Sequence, residues 1–88
     1  KRTDLPTWNP DMVTYEVTDA NGQQLGLMYF DFWKRDNKNG GAWMSNLVNQ
    51  SYLRGTKPVI YNVENFTKPA PGQPALISFD DVTTMFHE

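Results

Sequence analysis

From Met12 the chain alternates, with Val13, Tyr15 and Val17 on one side and Thr14, Glu16 and Thr18 on the other. A period of two belongs to a strand with one face buried and one face wet. Asp19-Ala20-Asn21-Gly22 then interrupts the pattern. Asn-Gly between two such runs predicts a hairpin closed by a type I′ turn, in which both loop residues take positive φ. With Asn21 and Gly22 as the loop, Ala20 faces Gln23, and Val13, Tyr15 and Val17 lie opposite Phe30, Met28 and Gly26. The second strand, Gln24 to about Trp33, is apolar on both faces, which predicts a more central place in the sheet than the first. The hairpin spans 12–33.

Downstream the signals are shorter. Gly40-Gly41 opens onto Ala42-Trp43-Met44, and 40–45 is expected to be an edge strand. Residues 45–57, with Leu47, Val48 and Leu53 among Asn and Gln, fit either a helical turn or a polar connection. Pro58 to Val63 is β-branched and starts with a proline, the position where a strand tolerates one, so 58–64 is expected to be a strand. Pro69, Pro71, Gly72 and Pro74 make a stiff loop leading to Ser78. Ser78 is a good N-cap, Asp81 can complete a capping box, and Asp80 and Asp81 favour the positive end of the helix dipole. Phe79, Val82, Met85 and Phe86 recur at helical spacing, so 78–88 is expected to be a helix with one apolar face. The fold class that follows is α+β: a small, mostly antiparallel sheet of three to four strands with a C-terminal amphipathic helix packed on it.

Composition narrows the function classes. Eighty-eight residues make one small domain at most, yet they carry five Phe, four Tyr and three Trp, more than so small a chain can bury easily. The chain begins at Lys1 without a signal-peptide pattern, and the helix runs to Glu88 without a stop signal, so both ends are expected to be cuts in a longer chain. Eight basic and ten acidic residues, scattered along the chain with a net charge of −2, make no nucleic-acid footprint. The absence of cysteine excludes disulfides, thiolate metal sites and a thiol nucleophile within the chain. No apolar run is long enough for a membrane-spanning helix.

Three features are candidates for chemistry, each with a plainer structural alternative. Asp31, a carboxylate among large apolar residues, fits a strand end that is solvated or paired with Lys34 or Arg35 better than a catalytic group. The basic loop 34–41 lacks the spacing of a phosphate-binding loop. Its glycines fit a loop-to-strand corner, or an edge where a peptide backbone comes close and pairs. His87-Glu88 fits a polar helix end, or the front half of His-Glu-x-x-His, in which two histidines four apart bind zinc and the Glu acts as general base.

A resemblance favours the second reading of the last two features. Gly40 to Met44, Pro58 to Val63 with Asn65 to Pro69, and Pro74 to Leu76 with Phe79 to Glu88 resemble consecutive blocks of the thimet oligopeptidase family of zinc peptidases, most of all its bacterial peptidyl-dipeptidase branch. The resemblance implies a fragment of a larger, mainly helical zincin catalytic domain, with His87 as first zinc ligand and Glu88 as catalytic base. It implies a second histidine on the continued helix, a third ligand on a later helix, and an edge strand at Gly41, Ala42 and Trp43 that holds the main chain of an oligopeptide substrate. The implied reaction is metal-assisted hydrolysis releasing C-terminal dipeptides, with zinc as cofactor and the remainder of the catalytic domain as structural partner. A cytoplasmic parent is expected, with the periplasm as the other choice. One His and one Glu fall short of the three protein ligands of a catalytic zinc site, so the fragment alone is expected to be inactive. The competing reading is a non-catalytic peptide-binding or scaffold module that uses an open sheet edge.

Overall fold

The computed structural model describes residues 1–88. Four strands, β1 (Val13–Thr18), β2 (Gln24–Trp33), β3 (Trp43–Val48) and β4 (Val59–Phe66), precede one helix, α1 (Phe79–His87). The sheet order is β1-β2-β4-β3, so β2 and β4 are the inner strands and β1 and β3 the edges. The fold is α+β, but the sheet is mixed: β1/β2 and β3/β4 are antiparallel, whereas β2 and β4 run parallel. The parallel pair exists because β3 is formed outside β4: residues 45–48, expected to lie in a helical turn or connection, continue β3, and the segment between Val48 and Val59 returns the chain to β4. Within this return Ser51 and Thr56 exchange backbone hydrogen bonds of 3.1 and 3.0 Å around a tight turn, so there is no helical turn.

The hairpin register matches the hydrophobic pattern, with Val13, Tyr15 and Val17 opposite Phe30, Met28 and Gly26. The turn differs from a type I′ closure. Only Gly22 is left-handed (φ 80°), and no non-glycine residue has positive φ. The Asp19 carboxylate accepts from the backbone N–H groups of Asn21 and Gln23, both at 2.9 Å, so Asn21 keeps ordinary φ. The extra loop residue shifts the pairing to Thr18 opposite Gln24.

Packing leaves most of the apolar surface open. Met12, Val63 and Phe66 are the buried apolar residues, while Thr14, Asp31, Asn62 and Glu64 are buried polar ones. On one face Phe30, Phe32 and Phe66 stack, with Tyr15 edge-on to Phe30. On the other face Trp8 stacks on Tyr29 and meets Tyr61 edge-on.

The helix is capped as its sequence requires. Ser78 accepts from the Asp81 N–H at 3.1 Å, and the Asp81 side chain accepts from the Ser78 N–H at 3.1 Å. Its packing differs from the expectation. At 100° per residue, Asp81, Thr84, Met85 and Glu88 share one side with Val82 at its margin, and these five are the half-buried residues. Phe79 and Phe86 lie on the opposite side and are 84% and 82% exposed. The half-buried side therefore carries two residues of the expected stripe, Val82 and Met85, with the polar Asp81, Thr84 and Glu88, and the two phenylalanines face away from it.

Candidate functional site

The stretch before β3 is built around Lys38. This residue comes from the basic loop, yet its side chain is only 4% exposed. Its ammonium donates to the backbone carbonyls of Asp31 (2.8 Å), Trp33 (2.9 Å) and Glu64, and lies 3.2 Å from the Asp31 carboxylate. It thus ties the end of β2 to the end of β4. Burial pushes the Lys38 ammonium below its ordinary pKa, and the hydrogen bond and charge of Asp31 offset part of that.

Asp31 is buried and paired, not solvated. Arg35 donates to both of its oxygens, at 2.8 and 2.9 Å, and the Trp8 indole N–H donates at 3.1 Å. Burial raises the Asp31 pKa, but the bonds from Arg35, Trp8 and Lys38 outweigh it and hold the group below its ordinary value. Lys34 takes no part in this cluster.

Asn65, at the end of β4, fixes the far side of the same loop. Its side-chain NH2 donates to the carbonyls of Asn39 (2.9 Å) and Gly41 (2.6 Å). Gly41 has φ 89°, a region that a side chain makes costly. A Cβ at Gly40 or Gly41 would meet nothing within 4 Å, so the space beside both is open to another molecule. Gly41 and Ala42 lie in the lead-in to β3, and Trp43 is the first residue of that strand, opposite Val63. No strand covers the outer edge of β3.

A cleft separates this lead-in from the helix. Gly41 and Ala42 form one wall, Asp81 and Thr84 the other, with Glu64 and Asn65 at its base. Glu64 is fully buried, and neither of its carboxylate oxygens has a hydrogen-bond partner. Burial pushes its pKa up to about 7; Lys38 pulls it down, while Asp81 and Glu88 raise it further. His87 is exposed in the last turn of α1, and Glu88 is half-buried at its C-cap, its N–H donating to the Thr84 carbonyl at 3.1 Å.

The structure therefore brings Gly41 and Ala42 to the side of the helix whose last residue is Glu88, with Trp43 continuing the open edge. It leaves His87 about 100° around the helix from Glu88. No group of three His, Cys, Asp or Glu side chains within the chain could hold a metal ion. The donor chemistry thus fits one corner of a zinc site, an accessible imidazole beside a carboxylate, and does not supply a full set. Sequence reasoning missed Lys38, Asn65 and Glu64. Only Glu64 carried a signal, as a carboxylate in a run that the pattern places inside the sheet.

Fold and edge together define a class: an α+β segment with the edge strand β3 left open and a capped helix after the sheet. Comparison with known proteins makes this specific. All of residues 1–88 match peptidase family M3. The chain is 56% identical over 88 residues to dipeptidyl carboxypeptidase of Escherichia coli (strain K12), covering 100% of this chain and 13% of that protein. It is 42% identical over 91 residues to oligopeptidase A of the same organism, covering 100% of this chain and 13% of the relative. The organellar oligopeptidase A of Arabidopsis thaliana is 39% identical over 90 residues, covering 94% of this chain and 11% of the relative. The chain belongs to peptidase family M3 and spans about 13% of the length of the bacterial relatives.

Proposed function

We propose that this chain is the substrate-edge and first-ligand segment of a zinc metallopeptidase that hydrolyses oligopeptides and releases C-terminal dipeptides. The observation that carries this reading is the 56% identity, over the whole chain, to a protein named dipeptidyl carboxypeptidase. In this reading Gly41, Ala42 and Trp43 pair with the substrate main chain, which suits varied peptide sequences because the bonds are to backbone. His87 offers an exposed imidazole as a metal ligand. Zinc, when bound, contributes Lewis acidity toward a water and the scissile carbonyl. Glu88 is the general base: it takes a proton from the attacking water as the new C–O bond forms and returns it to the leaving amine as the C–N bond breaks.

The match to oligopeptidase A supports a second reading, internal cleavage of oligopeptides. The two differ in their need for a free C-terminus. The full-length protein, given an N-acetylated tetrapeptide and its C-terminal amide, is expected to release a dipeptide from the free acid and to leave the amide intact; equal cleavage of both would favour the second reading. Glu88→Gln is expected to lower kcat at least 1000-fold while zinc content stays at one per chain. Near-normal turnover of that variant would remove Glu88 from the role of base. The 88 residues alone, with one candidate ligand, are expected to bind zinc weakly and cleave nothing, and tight one-to-one zinc binding by calorimetry would contradict this.

A further inference from the structure

A strand edge binds a peptide at a lower entropic cost when its first residues are held in one conformation before the peptide arrives. Residues 34–42 have no regular secondary structure to do this. Two side chains do it instead. Lys38 anchors the first half of the loop on the carbonyls of Asp31, Trp33 and Glu64. Asn65 anchors the second half on the carbonyls of Asn39 and Gly41. Glu64 and Asn65 are consecutive on β4, so both anchors use one point of an inner strand.

We infer that Asn65 is a positioning residue for peptide binding: by holding the Gly41 carbonyl inward it turns the Ala42 N–H outward, as the first main-chain donor of the open edge. This inference rests on the edge-strand reading proposed above. A trans peptide unit carries its C=O and N–H on opposite sides, and the chain has no cis peptide bond. With the Gly41 carbonyl engaged by Asn65 at 2.6 Å, the N–H of the same unit must point away from Asn65. No acceptor within the protein takes the Ala42 N–H. The outer side of β3, which continues this stretch, carries no strand. Gly41 allows the geometry because its φ of 89° turns the chain between the two anchors.

Asn65 is half-exposed at the end of its strand, so replacing it perturbs the loop more than the core. Two variants of the full-length protein test the inference. Asn65→Leu removes the amide, and Asn65→Asp keeps the shape and removes both donors. The probe is an N-acetylated tetrapeptide whose scissile amide is replaced by a methyleneamine, so that binding is read without cleavage. Both variants are expected to weaken its binding about tenfold, and to raise KM for the cleavable peptide by a similar factor with kcat within about twofold, because main-chain pairing is present in ground and transition states alike. Zinc content is expected to equal that of the unsubstituted protein.

Unchanged binding in either folded variant would overturn the inference, as would a fall in kcat at constant KM. Amide exchange in the unsubstituted protein gives a measurement that needs no variant. The probe is expected to slow exchange at Ala42 at least tenfold, and no slowing would also overturn the inference. An unsubstituted protein that neither binds the probe nor cleaves the peptide would overturn the peptidase reading itself, a result distinct from a defect confined to the Asn65 variants.

Discussion

Replacing Asp31 by Asn should be among the most damaging single changes in this segment, and the damage should come through Lys38. Asp31 accepts from three partners with different access to water. The Arg35 side chain is 34% exposed and can turn to solvent, so its pair contributes about 0–1 kcal/mol. The Trp8 side is also open, with that residue 50% exposed. Lys38 cannot leave, since its side chain is 4% exposed and its ammonium is held by three carbonyls. At 3.2 Å the attraction between Lys38 and Asp31 is about 5 kcal/mol with an effective dielectric constant of about 20. Removing the carboxylate leaves a buried cation without its counter-charge, a change that costs about 3–5 kcal/mol.

Asp31→Asn is therefore expected to lower the local unfolding free energy of β2 and β4 by about 3–5 kcal/mol, read by native-state amide exchange on the full-length protein. Lys38→Met leaves Asp31 with Arg35 and Trp8 and should cost less. The double variant should cost at least about 1 kcal/mol less than the sum of the two single changes, because it removes the stranded charge. Additive losses, or an Asp31→Asn loss below about 1 kcal/mol, would refute the reasoning. The same cluster sets a pH limit. Asp31 is held below its ordinary value of 3.8, so its stabilisation is complete above that pH and fades as pH falls through the lower folded-state value.

Glu64 behaves with the opposite sign. Its folded-state pKa, pushed from 4.5 to about 7, means that the folded chain holds a proton the unfolded chain has lost, so stability falls as pH rises through that window. Glu64→Gln should flatten exchange-derived stability between pH 5 and 7, and an unchanged slope would locate the effect elsewhere. Gly26→Ala should destabilise by about 1–3 kcal/mol in thermal unfolding, because its Cβ would lie 2.7 Å from the Pro58 carbonyl oxygen. Gly40→Ala, with open space and no positive φ, serves as the control and should change stability by less than about 0.5 kcal/mol.

What could be read from the sequence follows from the range of each interaction. The β1/β2 register is set by side chains that must meet across a short turn, so alternation alone placed Val13, Tyr15 and Val17 against their partners. The cap of α1 is equally local, within Ser78 to Asp81. The parallel pairing of β2 with β4 depends on β3 lying outside β4, and no periodicity encodes that. Lys38 has polar neighbours in sequence, and its three carbonyl partners lie on two strands that only the folded sheet brings together. The candidate site divides in the same way. Local residue types left His87-Glu88 and Gly41-Ala42-Trp43 open between a plain and a functional reading, and the family resemblance gave them their expected roles, whereas Asn65 and Glu64 gain meaning only from the loop and helix set against them.

The helix shows why a correct apolar stripe can still misplace a partner. Phe79, Val82, Met85 and Phe86 do recur with helical spacing, and a stripe of that kind predicts burial of one side. The cleft beside α1, however, is mixed: it offers the helix a buried carboxyl at Glu64, the small residues Gly41 and Ala42, and Phe66. Asp81 and Thr84 line that cleft without pairing with Glu64, whose carboxylate oxygens have no hydrogen-bond partner. The helix is consequently turned to the rest of the chain by a mixed side, Val82 and Met85 beside Asp81, Thr84 and Glu88, with its two phenylalanines outward. Placing Asp81 and Thr84 in the cleft sets Glu88, two turns beyond Asp81 and one beyond Thr84 on the same side, where its charge acts on Glu64, and leaves His87 exposed next to it in the chain.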